Sequence, residues 1–128
     1  MNPKWLDRSI ILSPFLALCT KPKQFTYILK YLKVPKKEWP KFVNESCGAT
    51  CHQFDKEDGT LVSVVCLAPT KVRRVAVYAL LAHEARHVIE SIYDMYSGMK
   101  RDEELEAVAI QMVTVRLIDE YKRQRRSK

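Results

Sequence analysis

The stretch His83-Glu84-Ala85-Arg86-His87 constrains this chain more than any other. The residues ahead of it, Val72 to Ala82, read as helix. Residues four apart on a helix lie on one face, about one turn from each other, so His83 and His87 present two imidazoles to the same place. Each can then supply one ligand to a tetrahedral zinc ion. Glu84 follows the first histidine, about 100° around the helix, so its carboxylate stands beside such an ion and not on it. From there it can take a proton from bound water. The plainer alternative is a long core helix whose histidines fall four apart by coincidence. Two observations count against it: two of the chain's three histidines sit in this motif, and an acid-rich stretch, Asp102 to Glu106, follows downstream.

The flanking sequence predicts an α+β domain. Lys23 to Val34 reads as an amphipathic helix, with Phe25, Ile28, Leu29 and Leu32 on one face and lysines opposite. Glu38 to Val43 reads as a short helix or turn. Ala49 to Phe54 and Leu61 to Leu67 read as strands joined by a hairpin loop with Asp58-Gly59 at its turn. The second strand is apolar on both faces, which implies burial on both. Thr70 is a candidate N-cap for the motif helix, which is expected to run to about Tyr96 and stop at Ser97-Gly98. A last helix, about Arg101 to Arg123, has Leu105, Val108, Ala109, Met112, Val113, Leu117 and Ile118 as its apolar face. The expectation is a short antiparallel hairpin beside three or four helices in one domain over residues 1–128, with residues 1–20 carrying no assignable element and 122–128 forming a basic tail.

Two imidazoles leave zinc short of a protein ligand. Glu103, Glu104 and Glu106 lie 16, 17 and 19 positions beyond His87, at the start of the last helix. They can also serve only as a favourable first turn for that helix. Residues 104 and 106 are ~200° apart on a helix, so both cannot face one ion.

H-E-x-x-H followed on a later helix by Glu104-Leu105-Glu106-Ala107 resembles the gluzincin branch of zinc metallopeptidases. Several members carry E-x-E-A followed by Asp or Asn, where the first glutamate binds the metal and the Asp or Asn supports the site. Val108 stands at that last position here, so the support must come from elsewhere. More narrowly, Cys47-Gly48-Ala49-Thr50, Tyr78 to Val88 and Glu104 to Gln111 are similar to small bacteriophage-encoded proteins described as metallopeptidases, over roughly residues 45–120. The resemblance implies a minimal zincin-like domain that holds Zn2+ with His83, His87 and Glu104. Thermolysin-like enzymes place the ligand glutamate slightly further along, which keeps Glu106 as the runner-up and Glu103 third. It implies Glu84 as general base, a peptide or protein substrate, and an edge strand (Leu61 to Leu67 or Ala49 to Phe54) that aligns that substrate. His52, Tyr93 and Tyr96 are the candidates for an oxyanion or substrate contact. The competing expectation is a zincin scaffold without catalysis, serving a structural or assembly role in a phage.

Charge and cysteines bound the rest. The net charge is +7, concentrated in Lys21 to Lys41 and in the tail from Tyr121. No zinc-finger, RNP-type or helix-turn-helix signature accompanies these segments, so a sequence-specific nucleic-acid module is not expected, and the tail is expected to be a solvated, frayed helix end. No run of about 18 apolar residues is present, so no membrane helix is expected. The apolar segment Ser9 to Cys19 is broken by Pro14 and lacks a cleavage pattern, which favours a cytoplasmic protein, in the host cytoplasm or the virion if phage-encoded. Cys19, Cys47, Cys51 and Cys66 are expected to be free thiols, with Cys66 buried.

Overall fold

Leu61 to Leu67 is buried at all seven positions, and the other elements are placed to cover both of its faces. The computed structural model describes residues 2–6, 15–44, 47–56, 58–69, 71–95 and 100–126. Its elements run β1 (Phe15–Cys19), α1 (Pro22–Tyr31), a 3-10 turn (Lys36–Glu38), β2 (Ala49–Asp55), β3 (Leu61–Leu67), α2 (Arg74–Met95) and α3 (Glu103–Arg126). The chain is α+β, with one three-stranded sheet and three α-helices among the described residues. β2 and β3 pair antiparallel, Ala49 opposite Leu67 and Asp55 opposite Leu61. Gly59 turns the hairpin at a φ of +83°, a conformation that glycine alone adopts freely.

The hairpin is not the whole sheet. β1 pairs parallel with β3, from Phe15 opposite Val62 to Cys19 opposite Cys66. The order is β1-β3-β2, so β3 is the central strand. The substrate-aligning edge expected of either hairpin strand therefore cannot be β3, whose two sides are both paired. β1 is a run of five residues, four of them buried, with no polar alternation to mark it as a strand.

Alternation in the sheet sorts two cores. Leu16, Leu18, Leu61, Val65 and Leu67 face α2 and α3, packing on Val77, Leu81, Ala85, Val88, Val113 and Leu117. Ala17, Cys19, Val62, Val64 and Cys66 face the other way, onto Phe25, Ile28 and Leu29 of α1. The sheet is thus sandwiched, with α1 on one side and the α2–α3 pair on the other. Cys66 is buried and all four cysteines are free thiols.

Helix ends depart from the sequence reading in instructive ways. α1 stops at Tyr31, short of Val34, because the chain closes a Schellman cap: Val34 N–H bonds Leu29 O at 3.0 Å and Lys33 N–H bonds Lys30 O at 3.0 Å. Lys33 occupies the left-handed position of that cap at φ 59°, which disfavours it by ~1 kcal/mol relative to glycine. α2 begins at Arg74; Thr70, Ser97 and Gly98 lie outside the described residues. α3 runs to Arg126, so the basic tail up to that residue is ordered helix. Its buried Gln124 donates to Leu18 O at 2.9 Å and accepts from Gln24 at 3.0 Å and Thr20 Oγ1 at 2.6 Å. The buried line of α3 is Val113, Leu117, Tyr121 and Gln124, four to three residues apart. Leu105 and Val108 stand ~80° and ~140° from Val113 around the helix, and are accordingly exposed rather than in the core.

Candidate metal centre

α2 buries Val77, Leu81, Ala85, Val88, Ile89 and Ile92 along one side. His83 and His87 fall on the opposite side and are exposed. Their Nε2 atoms are 3.3 Å apart, with the rings 5.0 Å between centroids and inclined at 72°. Two nitrogens ~2.0–2.1 Å from one zinc at the tetrahedral angle stand ~3.3–3.4 Å apart, so this pair already has the edge length a zinc ion requires.

Glu84 is only 4% exposed. Its carboxylate, His83 and His87 form a group whose ligand atoms lie within 4.8 Å of one another, an arrangement that can hold a metal ion. One carboxylate oxygen, Oε2, is buried without a hydrogen-bond partner among the described residues. A buried, unpartnered carboxylate oxygen is strongly unfavourable unless something binds there. Burial pushes the Glu84 carboxyl above its ordinary value, against the opposing pull of His87 and His83. The donor set and the orphaned oxygen together fit a metal ion.

The acids of α3 take different positions. Asp102 caps the helix, its Oδ1 accepting from Leu105 N–H at 2.9 Å. Glu106 accepts from Arg101 at 2.7 Å, and the same guanidinium reaches Glu90 of α2 at 2.5 Å. Arg86 adds a second ion pair to Glu90 at 2.8 Å. The runner-up ligand is therefore held in a clamp that ties α3 to α2, a pairing no spacing rule announces. Glu103 and Glu104 are exposed, and neither is held by an ion pair among the described residues. All three glutamates stand outside the converging group.

The three candidates for substrate contact separate as well. His52 lies on the α1 side of the sheet, stacked on Phe25 with ring centroids 4.7 Å apart. Its Nε2 donates to Phe42 O at 3.0 Å. Burial lowers its pKa, the backbone hydrogen bond opposing. The structure thus brings it to a packed aromatic cluster and not to the histidine pair. Tyr93 packs against the core, with the Arg101 guanidinium 4.4 Å over its ring. Tyr96 lies outside the described residues.

Two features beside Glu84 escape a sequence reading. Cys51, on the α2 side of edge strand β2, has its thiol pushed up to about 12 by burial and then by Glu84, against the hydrogen bond from Gln53. It stays protonated at neutral pH, so the loose Cys47-Cys51 spacing supplies no thiolate there. An open cleft of about 570 Å³ also ends at His83 and Glu84, with Ala49, Val72, Ala76, Ala79 and Leu80 among its walls. Gly48 is part of its floor, and a methyl group there would come within 2.9 Å of Leu80 Cδ1. The period-two alternation of β2 is the one sequence signal that places Ala49 and Cys51 on this side.

No helix among the described residues is long and apolar enough to cross a membrane. Compared with protein-family models, curated proteins and solved structures, the chain finds no match in any of the three.

Proposed function

We propose that this chain is a zinc-dependent peptidase in which His83 and His87 hold the ion, Glu104 is the third ligand and Glu84 is the general base. One observation carries the reading: two imidazole nitrogens at a zinc-ligand separation of 3.3 Å beside a buried carboxylate with an unpartnered oxygen. A structural zinc site has no need of that carboxylate. Zinc held there would act as a Lewis acid, polarising a carbonyl and lowering the pKa of water toward ~7.

The residues' own work follows from their placement. Glu84 Oε2 takes a proton from the attacking water and then passes it to the leaving amine nitrogen. Its burial raises its proton affinity, which suits a group that must both accept and release. The apolar cleft ending at Glu84 accommodates a side chain of an extended peptide. β2, an edge strand, offers backbone groups for pairing with that peptide. Glu104 suits the third-ligand role because, unlike Glu106, it has no ion pair among the described residues to surrender.

The competing reading is a zincin-scaffold protein with a structural or assembly role. It is favoured by one observation, that no acid of α3 joins the histidine group. A broad peptide library digested by zinc-loaded wild type and Glu84→Gln separates the two. Cleavage by wild type, lost in Glu84→Gln at unchanged zinc content, supports the peptidase. Zinc binding with no cleavage by wild type supports the scaffold.

A further inference from the structure

The side of the sheet away from the histidines carries a different kind of surface. Lys21, Lys23, Lys30, Lys33, Lys36, Lys37 and Lys41 are all exposed, and Glu38 is the sole acid among residues 21–41. This segment therefore holds a net +6 of the chain's +7. Six of these lysines, all but Lys41, make no ion pair among the described residues. α1 turns Phe25, Ile28 and Leu29 into the core and leaves Lys23, Tyr27, Lys30 and Tyr31 outward. Tyr27 is 48% exposed and Tyr31 55% exposed, two aromatic rings one turn apart between lysines.

A groove of about 400 Å³ adjoins this face, lined by Tyr31, Leu32, Lys33, Lys56 and Asp58. Trp5 braces Tyr31 from behind, with ring centroids 5.8 Å apart. Asp58 in its lining already accepts a hydrogen bond from Thr60 N–H at 2.9 Å. Lys33 enters the groove from the left-handed cap position of α1, where glycine would be the comfortable residue. A strained backbone that delivers a charged side chain to a groove points to use of that side chain.

We propose that the outer face of α1 and this groove bind single-stranded nucleic acid without sequence preference. Lysines neutralise successive phosphates, and exposed rings stack on unpaired bases. Duplex bases are already stacked and offer such rings nothing. A membrane surface is a poorer fit, because α1's aliphatic residues are spent in the core and its outward face is lysine and tyrosine. The surface is independent of the metal reading, since it lies across the sheet from it.

Fluorescence anisotropy of a labelled oligo-dT strand, titrated with the full chain at several salt concentrations, tests this. Binding should weaken with salt at a log–log slope of about −2 to −4, as three to five phosphate contacts require. Tyr31→Ala should weaken it about tenfold, and Lys30→Glu with Lys33→Glu by more. Lys100→Glu, a single such reversal just before α3, should have far less than half that effect. Lys33→Gly is the sharpest variant: it should hold or raise the melting temperature while weakening binding, so misfolding cannot explain the loss. The proposal is overturned by no binding at low salt, by equal binding of duplex with no effect of Tyr31→Ala, or by tighter binding to phosphatidylserine vesicles than to the oligonucleotide.

Discussion

The three histidines of this chain lie on two faces of one sheet, and the faces treat them oppositely. On the α1 side, His52 is stacked between aromatic rings, bonded to a backbone carbonyl and biased toward the neutral form by burial. Its Nε2 hydrogen bond is made inside the fold. On the α2 side, His83 and His87 are exposed and, among the described residues, hydrogen-bonded only to each other, beside a carboxylate with an unmet oxygen. A satisfied histidine is part of the packing. An unsatisfied constellation stores a demand that a ligand can meet, and this difference, more than residue type, separates a packed histidine from a candidate metal ligand.

Breaking the comparison at Glu84 should have the largest effect. Glu84→Gln should lower peptide cleavage by about 10²–10⁴ while leaving zinc content unchanged, read as kcat/KM on a substrate identified from the library. The same substitution should raise the thermal midpoint of the zinc-free protein, because it removes a buried charge with an unpartnered oxygen.

Next is a double dissociation between the faces. His52→Ala should cost about 1–3 kcal/mol of stability by denaturant unfolding and leave zinc affinity alone. His83→Ala and His87→Ala should each abolish tight zinc binding with a much smaller change in the stability of the zinc-free fold, since both side chains are exposed. If all three substitutions act alike, the two faces do not differ as described.

A third comparison is between acids on one helix. Glu104→Ala should weaken zinc affinity by about tenfold or more, whereas Glu106→Ala should chiefly loosen the Arg101 clamp between α2 and α3. The reverse order, measured by calorimetric titration, transfers the ligand role to Glu106.

The smallest expected effect lies at the far end of α3. Glu120 is buried, which raises its pKa, but hydrogen bonds from Arg123 and Gln124 outweigh this and leave it lowered. A lowered folded value means stability that is full above the unfolded value of ~4.3 and lost as pH falls through the folded one. Glu120→Gln should therefore destabilise at pH 7, and the gap from wild type should shrink below about pH 4.

What could be read from the sequence follows the same division. The hairpin, the central burial of β3 and the motif helix were legible because each rests on local periodicity or on one turn residue, Gly59. β1 was not, because a parallel strand buried on both faces has no alternation, and its partner lies 47 positions away, Phe15 to Val62. The ordered basic tail was missed because Gln124 is tied down by Leu18 and Gln24, contacts spanning about a hundred positions. At the site, helical spacing gave the His83–His87 edge, while the Arg101 clamp on Glu90 and Glu106 depends on how two helices meet and left no pattern to read.

The most direct test of a metal centre at His83 and His87 is zinc stoichiometry of the untagged chain, by elemental analysis and calorimetric titration at neutral pH. One zinc per chain is expected, lost in His83→Ala and in His87→Ala and kept in His52→Ala. No zinc above background in a chain whose circular dichroism shows it folded would contradict the assignment.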